Sequence, residues 1–235
     1  MRCCAVLGVA LAGMLMPSVL SAVPCAFRAH SGRENAEDRC ADQIYKLGPV
    51  LQNHPAIAAI CDDLPDLMHL AQGGDWTHIA KRQRLGVGRS ILAIRCRQVA
   101  YNGQWLLFAM EDRGQALPKL MLFPTVPQPG QPDFTFAVDM RELVKGRVYD
   151  YRKMLGDGSG GAYAEYRIHA KDLRPVLQMA IVKPDADHQG SYHFQLGRRP
   201  QGTGWRQAAV PDQPFGCLID LADLTDPPTC GSKHP

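Results

Sequence analysis

"SILAIRCRQVAYNGQWLLFAM", residues Ser90 to Met110, is two apolar runs around Tyr101-Asn102-Gly103. In the first run Ile91, Ala93, Cys96 and Val99 are interleaved with Arg95 and Arg97. Period-two alternation of this kind predicts a strand with one face turned to a core. Asn-Gly between two apolar runs is a strong short-range hairpin signal, because both residues accept the positive φ of a tight turn. Gln104 to Met110 is the return strand, and Trp105, Phe108 and Met110 are expected in the core.

Further strands follow at short intervals. Pro118 to Val126 is apolar, Pro127 to Pro132 is a proline- and glycine-rich loop, and Phe134 to Val138 alternates again. Tyr149 to Leu155 and Ala162 to Ile168 flank a glycine run. Val176 to Val182 and Ser191 to Leu196 flank Lys183-Pro184-Asp185-Ala186-Asp187. About eight strands at this spacing predict a mainly β fold, an antiparallel β-sandwich or a barrel-like body. This β domain is assigned to residues 75–200. The proline- and glycine-rich remainder, 201–235, is expected to wrap the surface as a tail.

Upstream the period is helical. Ala36, Cys40, Ile44, Leu47 and Val50/Leu51 recur at spacings of three and four, and Gly48-Pro49 weakens the end of that helix. Pro55 suits the first turn of a second piece, Ala56 to Cys61. Asp63-Leu64-Pro65 starts a third, which Gly73-Gly74 ends. Residues 23–74 therefore form a short α-helical N-terminal region. Residues 1–22 read as a secretory signal peptide: Arg2 is the positive n-region, Ala5 to Leu20 the apolar h-region, and cleavage is expected between Ser21 and Val23. The apolar core is short and contains Pro17, so no retained membrane span is expected. Pro24 before Cys25 argues against lipidation there. The expected location is the periplasm or the extracellular medium.

Of eight cysteines, Cys3 and Cys4 leave with the signal. The other six, Cys25, Cys40, Cys61, Cys96, Cys217 and Cys230, are disulfide candidates in an oxidising compartment. Their placement favours Cys40–Cys61 and Cys217–Cys230 as local bridges and Cys25–Cys96 as a long one. No C-x-x-C pair exists, so neither structural zinc nor a thioredoxin-like motif is expected. The 235 residues carry a formal charge of +3, with 46% hydrophobic and 21% charged residues. These are globular values. The densest basic run, Lys81-Arg82-Gln83-Arg84, is short and reads as solvated surface, so nucleic acid is not an expected partner.

Gly156-Asp157-Gly158-Ser159-Gly160-Gly161 resembles the run around a chymotrypsin-type nucleophile, with one added glycine. The insertion shifts an oxyanion N–H donor by a residue, and His54, the upstream candidate for the base, reads as helical. The run is therefore expected to be a hairpin turn whose glycines, such as Gly160, supply positive φ. Histidines 169, 188 and 193 lack metal-ligand spacing, and Asp185, Asp187 and Asp157 lack a calcium-loop spacing. Glu111-Asp112 has no evident carboxylate partner. No catalytic residue, metal or cofactor is expected.

From Leu92 to Tyr163 the chain resembles a family of exported bacterial proteins known only as a domain of unknown function. The resemblance rests on Cys96, Ala100-Tyr101-Asn102, Trp105-Leu106-Leu107-Phe108, Lys145-Gly146-Arg147 and Leu155-Gly156-Asp157-Gly158. Gly158 stands where the family's run has a cysteine. The resemblance implies a periplasmic protein without established activity and supplies no catalytic residue. Together these readings point to a non-enzymatic binding protein of the bacterial envelope, with another envelope protein or a cell-wall component as its partner. The alternatives are an inhibitor or immunity protein acting on a hydrolase, and a serine hydrolase using Ser159.

Overall fold

A computed structural model describes residues 23–24, 38–61, 79–98, 103–111, 116–126, 132–185, 187–211 and 214–230. The expected signal segment, Cys25, the expected third helical piece, residues 99–102 and most of the expected Pro127–Pro132 loop lie outside the described residues, as does the Cys40 side chain.

The elements are β1 (Val23–Pro24), α1 (Asp38–Asn53), α2 (Pro55–Ala58), β2 (Ala80–Gly86), β3 (Arg89–Gln98), β4 (Gly103–Glu111) and β5 (Lys119–Pro124). Then come β6 (Phe134–Thr135), β7 (Ala137–Val138), β8 (Met140–Val144), β9 (Arg147–Lys153), β10 (Gly161–Ile168), β11 (Pro175–Lys183), β12 (Arg206–Gln207) and β13 (Cys217–Ile219). They form two antiparallel sheets, one in the order β1-β2-β3-β4-β5-β13 and one in the order β12-β11-β10-β9-β8. The fold is mainly β and sandwich-like, with short helices near the N-terminus.

β3 and β4 pair from Arg89↔Glu111 to Gln98↔Gly103, so the opening stretch is a hairpin. Alternate residues of these strands serve different layers. Ile91, Ala93, Leu107 and Ala109 face the second sheet and meet Val148, Ala164, Tyr166 and Leu177 there. Leu92, Ile94, Leu106 and Phe108 face the other way, onto Ile44, Leu47 and Leu51 of α1 and Ile57 of α2. Burial on both faces explains why these strands are apolar beyond simple alternation. α1 continues through Pro49 because its apolar stripe is held against the sheet, and Asn53 Nδ2 donates to the Pro49 carbonyl at 2.8 Å.

A third cluster covers the outer face of the second sheet. Tyr149, Tyr151 and Tyr163 project from β9 and β10 and pack under Tyr192, Phe194 and Trp205. The molecule is thus layered as helices, sheet, sheet and an aromatic cover.

Several expectations change. Ser191 to Leu196 is not a strand. Its alternating Tyr192 and Phe194 lie across the sheet, and the Tyr192 N–H donates to the Gly158 carbonyl instead of to a neighbouring strand. The basic run Lys81–Arg84 lies within β2 and is only partly exposed. Gln83 within it is buried, and Lys81 Nζ lies 5.2 Å from the Trp105 ring centroid. Long basic side chains can line an apolar sheet with their stems while the charge stays solvated, which hides such a strand from a hydropathy reading. The segment 201–235 supplies β12 and β13, and Cys217↔Leu122 begins the pairing of β13 with β5. Of the expected bridges, Cys217–Cys230 forms. Cys61 pairs with Cys96, so neither Cys40–Cys61 nor Cys25–Cys96 exists. The reason is the layering: the end of α2 packs on β3, where Cys61 and Cys96 share one core cluster.

Candidate functional site

Three groupings carry chemistry. The first is the glycine run. It joins β9 to β10, whose pairing ends at Gly161↔Lys153, so it is a hairpin loop. The Met154 N–H donates to the Gly160 carbonyl at 3.0 Å, and the Gly158 N–H to the Leu155 carbonyl at 3.0 Å. Positive φ falls at Gly158 (+72°) and Gly161 (+152°), not at Gly160. At Gly158 a Cβ would stand 2.1 Å from the Tyr192 carbonyl oxygen, so glycine is required there by close approach as well as by conformation.

Asp157 is held at this loop by two partners. His188 Nδ1 lies 2.9 Å from its Oδ2, and the Ser159 N–H donates to its Oδ1 at 2.9 Å. The histidine contact first, and then the Ser159 N–H, hold the Asp157 carboxyl down at about 2. An aspartate on a histidine Nδ1 beside a serine has the residue types of a hydrolase triad and one of its contacts. Sequence reading misses His188 because the protease order places the histidine before the serine. The burial is inverted, however. In a working triad the aspartate is buried and the serine reachable. Here Ser159 is 0% exposed and its Oγ is sealed from solvent without a hydrogen-bond partner. His188 is 74% exposed.

Other predicted candidates are dispersed. His169 follows the far end of β10 from the glycine loop, so it cannot join His188. Asp187 accepts from the buried Lys183 Nζ at 2.6 Å, which holds its carboxyl below the ordinary value. Among the described residues no group of three or more metal-ligating side chains converges. Glu111 ends β4, and Asp112 lies outside the described residues.

The second grouping is one that sequence reading does not single out. Asp139 lies where the chain passes from β7 in one sheet to β8 in the other, and it is buried. Arg152 Nε donates to Asp139 Oδ2 at 2.8 Å. Asp150 is close by, and its Oδ1 is sealed without a hydrogen-bond partner. Burial, and then the Asp139 charge, raise the Asp150 carboxyl to about 7. A signal is nonetheless present in the sequence. In Val148-Tyr149-Asp150-Tyr151-Arg152, alternation puts Asp150 and Arg152 on the inward face with Val148.

The third grouping is the end of the sandwich opposite the glycine loop, where the β2–β3, β8–β9 and β10–β11 turns meet. Gln83 Oε1 accepts from the Gly146 N–H at 2.8 Å across the two sheets. The Ile168 N–H donates to the Gly146 carbonyl at 2.7 Å. Arg89 donates to the carbonyls of Ala170, at 3.0 Å, and of Lys171. Two hollows open on either side of that contact. One, of about 330 Å³, is lined by Arg84, Leu85, Lys145, Arg167, Ile168, His169 and Ala170. The other, of about 240 Å³, has Met110, Leu117, Leu173 and Leu218 in its wall, with Arg89, Lys119 and Lys171 as cations and Glu111 and Asp172 as carboxylates on it. Cations from four separate stretches of sequence are gathered here, which a reading of local charge runs does not bring together.

Compared with protein-family models, with curated proteins and with solved structures, the chain matches none.

Proposed function

We propose that this chain is an exported binding protein of the bacterial envelope that recognises its partner through the turn end of the sandwich. The observation that carries the reading is the pair of adjacent hollows there, one cationic and one apolar with charges of both signs beside it. Apolar walls with a few placed charges are the usual composition of recognition sites. Export is supported by the signal-like first 22 residues and by the Cys61–Cys96 and Cys217–Cys230 bridges, which persist in oxidising compartments. Among the described residues no helix is long and apolar enough to cross a membrane. The partner is another envelope protein or a cell-wall component, and an inhibitor or immunity role against a hydrolase is a special case of the same surface chemistry.

A second reading, hydrolysis through Ser159, is favoured by the Asp157–His188 contact alone. One experiment separates them. The mature chain is used as bait in an envelope extract, and in parallel is treated with a fluorophosphonate probe. A discrete partner retained by the mature chain, with no labelling, is the expected result. Labelling that vanishes in Ser159→Ala, with no retained partner, would establish the hydrolase instead.

A further inference from the structure

The chain passes from the first sheet to the second within three residues. Val138 of β7 is opposite Trp105 in the first sheet, and Met140 of β8 is opposite Asp150 in the second. Asp139, between them, has a side chain only 3% exposed, and it accepts from Arg152 Nε at 2.8 Å. The backbone is tied across the same point. The Tyr151 N–H donates to the Asp139 carbonyl at 3.1 Å, and the Asp139 N–H donates to the Asp150 carboxyl group. Asp150 and Arg152 are two residues apart on β9 and share a face, so the guanidinium that pairs with Asp139 bears on both carboxyl groups.

The seat of Asp150 suits a neutral carboxyl and resists a charged one. Its Oδ1 is shut off from solvent with no hydrogen-bond partner among the described residues. An ionised oxygen there has neither water nor a donor, which costs far more than the same group protonated. One guanidinium then has to serve two carboxylates. Arg141 is the other cation whose charge reaches Asp150, but its Nε donates to the Tyr151 carbonyl at 3.0 Å and its guanidinium carbon lies 5.6 Å from the centroid of the Tyr151 ring, which belongs to the aromatic cover. From β10, Tyr166 adds no charge: burial holds its phenol well above the ordinary value, and its hydroxyl donates to the Pro124 carbonyl at 3.1 Å. The first sheet meets the passage through the pairing of Trp105 with Val138, neither of which titrates. Burial, and then the Asp139 charge, raise the Asp150 carboxyl to about 7.

We propose that Asp139, Asp150 and Arg152 form a proton-operated joint between the two sheets. With a proton on Asp150, Arg152 serves Asp139 alone and the passage from β7 to β8 is held closed. When that proton leaves to solvent, two buried carboxylates compete for one guanidinium, and the passage loosens. β8 is the end strand of its sheet and its register breaks between Met140 and Glu142. It can therefore part from β9 while β9 stays paired with β10.

The test is hydrogen exchange of the mature chain, followed by mass spectrometry at pH 5 and pH 8 and corrected for the intrinsic rate at each pH. Peptides covering residues 137–144 should lose protection by more than about tenfold between the two, the scale set by the difference in proton affinity between the closed and solvated carboxyl. Peptides of β3 and β10 should change less. Asp150→Asn cannot ionise and should keep residues 137–144 protected at both pH values. Asp139→Asn removes the competing charge and leaves Arg152 to Asp150, so the loss of protection should move to lower pH. Infrared absorption of a protonated carboxyl at pH 5, absent from Asp150→Asn, would place the proton on this residue. The joint is overturned if residues 137–144 are equally protected at both pH values, or if Asp150→Asn loses protection as the wild type does. A loss spread evenly over both sheets would also overturn it, since that is a fall in global stability without a local opening.

Discussion

The Tyr151 hydroxyl donates to the Tyr192 carbonyl oxygen at 2.9 Å, joining β9 to a segment 41 residues later. The two rings also meet edge to face, 5.0 Å between centroids. Burial pushes the Tyr151 phenol up to about 12, so it stays a donor throughout the physiological range. The contact fastens the aromatic cover onto the second sheet and, through the Tyr192 N–H, onto the glycine loop.

Tyr151→Phe keeps the ring and removes the donor. A buried carbonyl deprived of its partner costs about 1–2 kcal/mol. Urea unfolding should show a lower midpoint at unchanged slope. A midpoint equal to that of the wild type would mean that the hydroxyl contributes nothing to the cover.

The glycine loop should tolerate loss of its serine hydroxyl and not of its left-handed glycine. Ser159→Ala removes a buried hydroxyl that makes no hydrogen bond, so stability should change by less than about 0.5 kcal/mol or rise. Gly158→Val forces a branched side chain against the Tyr192 carbonyl at positive φ and should cost about 3 kcal/mol or more. Equal effects of the two changes on thermal unfolding would contradict the loop geometry.

Asp150 predicts a stability that falls as pH rises. Its folded value, about 7, lies above its unfolded value of 3.8. The folded state therefore binds the proton more tightly, and its advantage is complete below the unfolded value and lost as pH rises through the folded one. Between about pH 4 and pH 7 this group lowers stability progressively. Asp150→Asn, which never ionises, should flatten that slope and stabilise the protein at pH 8 by roughly 2 kcal/mol. An unaltered pH profile in the variant would show that Asp150 is not the group responsible.

Non-reducing peptide maps should link Cys61 with Cys96 and Cys217 with Cys230. The first bridge spans 35 residues and ties the helical layer to β3, so Cys61→Ser with Cys96→Ser should cost about 4 kcal/mol on the chain-entropy account. A peptide joining Cys40 to Cys61 would contradict the layering.

Two of the local hairpins are legible in the sequence, whereas β2 and β8, which pair with equally near neighbours, are not. Ser90 to Met110 carries its own alternation and turn chemistry, and Tyr149 to Ile168 is closed by glycines that leave the chain no other course. Cys217–Cys230 was legible for the same reason, since its partners are 13 residues apart. Where partners are remote, local pattern is silent. Cys61 chose Cys96 because α2 packs on β3, and Tyr192 left the β ladder because Gly158 and Tyr151 offered its backbone better partners. Asp139 met Asp150 only because the chain changes sheets between β7 and β8. The basic pocket is the clearest case. Arg84 ends the Lys81–Arg84 run but Lys145 and Arg167 stand far from it in the sequence, and the three line one hollow because antiparallel strands of two packed sheets return their turns to one end. Period and turn chemistry are properties of a few consecutive residues, whereas a site is a property of which turns the packing brings together.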